Sequence, residues 1–232
     1  MQAQINNQAS FIQLPGLINN HFLTEIDKLL ENASFIDGQA TATMGAKMVK
    51  NNLQANPAQQ ELMQHLQYYI LQAFNQSGLF QNATLPKQIY APVFSRYSPG
   101  MYYGWHVDSP VMGHPAVRTD IAMTIFLEDP DQYEGGELEI QTENGTVKIK
   151  LNKGDAVCYP CHYLHRVCEV TSGTRKVAVT WIQSMIKSPE QRNILFRLKE
   201  LHTRLFEKDA QSPEANELLQ TYSNLLRMWA EI

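Results

Sequence analysis

The sequence predicts a mainly β core flanked by helices, an α+β chain whose centre folds as a sandwich or a jelly-roll barrel. Three observations lead there. Between residues 89 and 183, short runs rich in Val, Ile, Tyr and Phe are cut repeatedly by turn residues. Asn144-Gly145 joins two alternating runs, a strong hairpin signal. Outside this region apolar residues recur at helical spacing.

Taken in order, Phe22, Ile26, Leu29 and Leu30 mark a helix over 21–33. Residues 57–76 read as a second helix, with Pro57 suited to its first turn. Between them, Gly38 to Lys47 is small and polar, either a short strand pair or a loop. The core strands are 89–97, 120–127, 136–141, 146–151, 155–159, 163–170 and 175–183. Asp129-Pro-Asp, Gly135-Gly136, Asn144-Gly145 and Ser172-Gly173 are the turns between them. After Ser188-Pro189 two apolar stripes follow, Ile194, Leu195, Leu198, Leu201 and Leu205, then Leu218, Leu219, Tyr222, Leu225 and Leu226. They predict two helices joined near Gln211-Ser-Pro213. The chain thus divides into a helical support region (1–88), a β core (89–187) and a C-terminal helical hairpin (188–232). The hairpin covers the barrel or serves as a homodimer interface.

A chain of 232 residues, 44% hydrophobic, is long enough to bury a sizeable core. A net charge of −4 supplies no basic field, so nucleic acid is not an expected partner. No apolar run approaches the ~20 residues of a membrane helix, and no membrane partner is expected. Met1-Gln-Ala-Gln-Ile-Asn-Asn lacks the basic and apolar regions of a signal peptide. Three cysteines argue against a disulfide scaffold, and the expectation is a reduced, cytoplasmic protein.

The chemistry concentrates in His106-Val-Asp108. Residues two apart on a strand point to one face, so a strand would present an imidazole and a carboxylate together. A distant histidine, His165, completes a 2-His-1-carboxylate set, which holds a metal and leaves coordination positions open. Alternation places Tyr163, His165 and Val167 on one face, and Arg175, Val177, Val179 and Trp181 on one face of the last strand. Arg175 is then either buried and in need of an anion, or at the strand start and reaching solvent. If a keto acid chelates the metal, its far carboxylate needs a bidentate cation, which Arg supplies better than Lys. The Tyr97 phenol is placed to add a hydrogen bond there.

Other residues offer competing readings. Cys158, Cys161 and Cys168 suggest half a zinc site or small buried and turn residues. The stretch Ser109 to Thr119, with two prolines and a glycine, reads as irregular, either a lid whose His114 and Arg118 meet substrate or an exposed loop. Gly135-Gly136 reads as a tight bend. Tyr102, Tyr103 and Trp105 read as pocket wall or core, and Phe94 and Phe126 as core.

The pattern Tyr97-x-x-Gly100-x-x-Tyr103-x-x-His106-x-Asp108 resembles the iron-site region of prolyl-hydroxylase-like 2-oxoglutarate dioxygenases. The fuller set resembles the prokaryotic PKHD-type hydroxylases. It comprises Phe94-Ser-Arg-Tyr-Ser-Pro-Gly, Trp105-His-Val-Asp, Arg118-Thr-Asp, Phe126-Leu-Glu-Asp-Pro-Asp-Gln-Tyr-Glu-Gly-Gly-Glu-Leu, Lys153-Gly-Asp, Tyr159-Pro, Leu164-His-Arg-Val and Trp181-Ile-Gln-Ser. The likeness runs from about residue 90 to 195, with no departure at a ligand position. It implies a double-stranded β-helix and Fe(II) on His106, Asp108 and His165. It implies 2-oxoglutarate on Arg175 with Tyr97 as helper, and L-ascorbate to re-reduce the iron. The expected reaction is hydroxylation of a small-molecule or peptide substrate by molecular oxygen, with 2-oxoglutarate converted to succinate and CO2. A link to iron homeostasis is a further implication. The competing expectations are a non-enzymatic cupin-like sensor of iron or 2-oxoglutarate and a zinc or manganese hydrolase. The hydrolase would require a general base that the sequence does not offer.

Overall fold

The computed structural model describes residues 5–6, 11–41 and 44–232, and its architecture follows from how the central strands alternate. All six residues of the strand Ile121–Phe126 are buried. Met123 and Ile125 join one core cluster, Ala122 and Phe126 another. In Ala156–Pro160 the same split recurs, with Ala156 and Cys158 against the first cluster, Val157 and Tyr159 against the second. The two-residue period of a strand therefore builds three layers: helices, a large sheet and a smaller sheet.

The large sheet runs in the order Ile5–Asn6, Phe11–Leu14, Ala156–Pro160, Ile121–Phe126, Arg175–Ser184, Val93–Tyr97, Leu53–Ala55 and Phe35–Asp37. Pro86–Ile89 also pairs with Arg175–Ser184. The smaller sheet runs Gly145–Ile149, Leu138–Thr142, His165–Val167, Tyr102–His106 and Lys50–Asn51. Between the sheets, Leu138, Ile140, Ile149 and Val167 meet Tyr97, Phe126, Val157, Tyr159 and Val177.

The outer face of the large sheet is covered by helices α1 (Asn20–Glu31), α3 (Gln60–Gln76) and α4 (Gly78–Thr84), while the short α2 (Met44–Met48) lies against Tyr102–His106 of the smaller sheet. Of these, α1, α3 and α4 bury Ile26, Leu66, Ile70, Phe74 and Phe80 in the first cluster. The Asn19 side chain accepts from Phe22 N and starts α1. Helices α5 (Pro189–Lys208) and α6 (Pro213–Trp229) are capped by Ser188 and Ser212, each with Pro in the first turn. They close a third cluster of Leu195 and Tyr222 with Leu85 and Ile186. No described helix is long and apolar enough to cross a membrane.

Local differences from the sequence expectations have physical causes. The N-terminal region, expected as helical support, also contributes strands to both sheets. Gly38–Thr41 is a short 3-10 turn that leads to α2, rather than a strand pair or a plain loop. Ala42 and Thr43 lie outside the described residues, as does most of the stretch from Met1 to Asn7. Pro57 precedes α3 because Asn56 Oδ1 accepts from Ala58 N and holds that segment in a turn. The expected strand 163–170 is two, His165–Val167 and Val170–Gly173. It divides where Gly135 and Gly136 cross: Gly136 N donates to Glu169 O and Cys168 N to Glu137 O. In α5 the buried side is Leu195, Phe196 and His202, while Ile194 and Leu201 are exposed, because α4 and α6 pack against that side.

Phe74 and Phe80 stack at 4.3 Å between centroids, both fully buried. Phe74→Ala is expected to cost about 3–5 kcal/mol, whereas Tyr68→Ala, on the exposed side of the same helix, should change stability by about 0.5 kcal/mol or less. Urea unfolding of the two variants checks this, and equal effects would contradict the layer assignment.

Candidate metal centre

His106 ends the strand Tyr102–His106, His165 opens His165–Val167, and the antiparallel register pairs them directly. Such a pair sets Cβ atoms about 4.5–5.5 Å apart, and the ring centroids lie 4.3 Å apart. Each ring is oriented by its own chain. Nδ1 of His106 lies 2.8 Å from the Gly104 carbonyl, and Nδ1 of His165 lies 3.0 Å from the Tyr163 carbonyl. A carbonyl only accepts, so Nδ1 carries the proton and Nε2 the lone pair. The two Nε2 atoms each stand 3.8 Å from a different oxygen of Asp108. Tyr103 stacks on His106 at 3.6 Å and fixes the plane of its ring.

Asp108 does not share a strand with His106, contrary to the i, i+2 expectation. The strand stops at His106 and Asp108 lies in the segment after it. The opposite sheet orients it instead: Trp181 Nε1 donates to Asp108 Oδ2 at 2.8 Å. One ligand atom from each of His106, Asp108 and His165 lies within 4.8 Å of the others, the one such grouping among the described residues. Burial, reinforced by the charge of His165, pushes His106 below the usual imidazole range, so it is neutral near pH 7. Two imidazole nitrogens and one carboxylate oxygen converging from one side fit a divalent first-row metal with open positions.

Arg175 opens the strand Arg175–Ser184 and pairs with Tyr97. It is 1% exposed, so the solvent-reaching alternative does not hold. The rings of Tyr97 and Phe126 lie 5.0 and 5.8 Å from its guanidinium. Its Nε and Nη1 have no hydrogen-bond partner among the described residues. Gly136 admits the side chain, since a Cβ there would stand 2.9 Å from Arg175 Cδ, at a φ of 67°. A buried cation with two open donors fits a carboxylate. Burial raises the Tyr97 phenol above its usual range, partly offset by Arg175 and Asn52, so it remains a donor.

The two groups open into one cavity of about 830 Å³ between the sheets. Tyr103, Trp105, His106, Asp108 and His165 line one part, Tyr97 and Arg175 another. Lys50, Asn52 and Gln54 also line it, at alternate positions and all buried. Sequence reasoning missed these three; their alternation was the signal, but it is polar on the inner side. Burial draws the Lys50 ammonium down to about 8.

The stretch 109–119 is more regular than expected. It forms a hairpin of Val111–Met112 with Val117–Arg118, and Val111, Met112 and Gly113 line the cavity. Arg118 faces elsewhere, donating to both oxygens of Asp120 and to Glu231. His114 is exposed and is not part of the cavity wall, and neither is the exposed Tyr102. Cys158 and Cys161 are buried in different clusters, and burial pushes both thiols up, away from the thiolate a zinc site needs. Phe94 and Phe126 are core.

Residues 92–183 match the family model described as the 2OG-Fe(II) oxygenase superfamily, and residues 190–231 match the PKHD-type hydroxylase C-terminal domain. A PKHD-type hydroxylase of Crocosphaera subtropica is 40% identical over 221 residues, covering 95% of this chain and 99% of that protein. Among solved structures, a prolyl hydroxylase from Trichoplax adhaerens in complex with a hypoxia inducible factor oxygen degradation domain peptide fragment matches with a TM-score of 0.54 and 16% identity. The match covers 82% of this chain and 88% of that one. A Pseudomonas putida prolyl-4-hydroxylase matches with a TM-score of 0.51 and 17% identity, covering 76% and 93%. At such identities the solved structures speak for the shared jelly-roll fold alone. The sequence relatives and the family models decide the membership: this chain belongs to the PKHD-type hydroxylases, oxidoreductases of the 2OG-Fe(II) oxygenase superfamily.

Proposed function

We propose that this protein hydroxylates a small-molecule or peptide substrate, converting 2-oxoglutarate and molecular oxygen to succinate and carbon dioxide. One oxygen atom goes to the substrate hydroxyl and the other to succinate. The observation that carries this reading is a single cavity joining the His106, Asp108 and His165 donors to the buried, under-partnered Arg175. Family membership implies Fe(II) and 2-oxoglutarate. In this reading His106 Nε2, Asp108 and His165 Nε2 hold the iron, and Arg175 with Tyr97 holds the distal carboxylate of the keto acid. Bound there, Fe(II) supplies the oxygen-activating redox chemistry that no side chain in the cavity provides.

The chain's own contribution is orientation and dryness. The Gly104 and Tyr163 carbonyls lock both imidazoles in the metal-binding tautomer. Trp181 aims Asp108 across the gap between the sheets. Val93, Leu138, Val167 and Val179 give the wall an apolar lining that limits water around the reacting atoms. Arg175 favours catalysis over a sensor of metal alone, which needs no buried carboxylate clamp.

Purified protein given Fe(II), 2-oxoglutarate, ascorbate and oxygen is expected to form succinate, and to stop when oxygen is withheld or Asp108 is replaced by Ala. His106→Ala and His165→Ala should lose bound iron. Arg175→Ala should keep its iron but need roughly 10²–10³-fold more 2-oxoglutarate, as expected for removing a buried charge partner. An unchanged 2-oxoglutarate requirement in that variant would refute the clamp. Trp181→Phe should weaken iron binding about 10–100-fold while leaving the fold intact, as read by metal titration and circular dichroism.

A further inference from the structure

The inner face of the large sheet carries a polar row that the iron and Arg175 do not account for. Tyr97 pairs with Arg175, and Leu53 pairs with Arg96, so the register sets Asn52 beside Tyr97. Asn52, Tyr97 and Arg175 thus run side by side across neighbouring strands, and all three line the cavity. Asn52 is 3% exposed; neither Nδ2 nor Oδ1 makes a well-formed hydrogen bond among the described residues, and its side chain reaches only far enough to act on the neighbouring Tyr97 phenol. Buried polar side-chain atoms are nearly always paired. Of the buried side-chain atoms without a partner, those that line the cavity belong to Asn52 and Arg175. Two such residues in one row, with a phenol between them, point to one ligand group.

The surroundings fix what Asn52 presents. Gly38 N donates to the Asn52 carbonyl at 2.9 Å and holds its backbone. A Cβ at position 38 would stand 1.9 Å from Asn52 Oδ1, so the oxygen side of the carboxamide is packed against bare Gly38 backbone. The Nδ2 side is left toward the Tyr97 phenol. A carboxylate offers about four acceptor positions. The Arg175 fork takes two of them, and the outer two remain for neutral donors on its flank.

We propose that Asn52 is a third donor to the distal carboxylate of the keto acid, beside Arg175 and Tyr97. This rests on the function proposed above. Asn52 adds a hydrogen bond without adding charge, and it approaches the ligand from the far side of Tyr97 relative to Arg175.

The test is isothermal titration of Fe(II)-loaded protein, without oxygen, with 2-oxoglutarate and with 2-oxobutyrate, which lacks the distal carboxylate. Asn52→Ala should raise the Kd for 2-oxoglutarate about tenfold, the scale of one hydrogen bond to a charged group, and leave the Kd for 2-oxobutyrate within about twofold. Asn52→Asp sets a negative charge against the carboxylate and should raise the 2-oxoglutarate Kd further, to about a hundredfold. Asn52→Ser gives the same comparison if Asn52→Ala does not fold. An unchanged 2-oxoglutarate Kd, or equal weakening of both keto acids, overturns the assignment while Arg175→Ala still loses 2-oxoglutarate. If the wild-type protein binds no 2-oxoglutarate, the proposed function falls and this assignment with it.

Discussion

Arg175 sets the terms for the whole β core. A guanidinium taken almost wholly out of water carries a penalty of several kcal/mol unless charge and hydrogen bonds replace its hydration. The protein supplies only part of that replacement. The faces of Tyr97 and Phe126 lie against the cation, and cation–π contact offsets a fraction of the cost. Nε and Nη1 still have no partner among the described residues. Segments far apart in the chain conform to this one side chain: the strand pairing that seats Tyr97, the bare Gly136 that lets the side chain pass, and Phe126 on the neighbouring strand. An anion bound at this point relieves the folded state and not the unfolded one, so ligand binding and stability are linked through Arg175.

The rest of the site is a consequence of register. His106 and His165 form a direct cross-strand pair on the smaller sheet, and Tyr97 and Arg175 form one on the larger sheet. Each pair is fixed by a ladder of backbone hydrogen bonds, and a slip of one residue in either ladder would turn its side chains to the opposite face. The inter-sheet core of Leu138, Ile140, Val157 and Val177 holds the two pairs at a set separation. Asp108 is the member that no ladder controls, since the strand has already ended. Its orientation is taken over by Trp181 on the other sheet, which makes this hydrogen bond a direct tie between the two halves.

How much of this was legible in the sequence depended on whether a residue's partner was local. His106 and Asp108 stood close enough in sequence to be read together, even though the strand that suggested it stops short of Asp108. Alternation alone put Arg175 on the same face as Val177, Val179 and Trp181, but not whether that face was buried; the Tyr97 pairing and the covering Gly136 decide that, and both come from distant segments. Asn52 was missed because the alternation it belongs to, Lys50, Asn52 and Gln54, is polar on the inner side and is split between strands of two and three residues. The hairpin within 109–119 was hidden by prolines and glycine, whose usual meaning is irregular structure. In α5 a 3.6-residue period fits two adjacent faces, and only the positions of α4 and α6 select Leu195 over Ile194.

The electrostatics of the cavity extend the same logic. Its charged lining is Lys50, Arg175 and Asp108, with His106 held neutral by burial. Asp108 is directed at the two histidine Nε2 atoms and held by Trp181, so its charge is engaged where a cation would sit. Arg175 lies at the other part of the wall, and Lys50 is placed over the Tyr103 ring that stacks on His106. Burial lowers the Lys50 ammonium even with Asp108 and Asp37 pulling the other way. Low dielectric strengthens each of these interactions relative to water. A ligand entering this space therefore meets positive charge at Arg175, and the carboxylate of Asp108 beside two imidazole nitrogens. The buried Arg175 and the paired histidines, each fixed by register on its own sheet, thus face one cavity from its two walls.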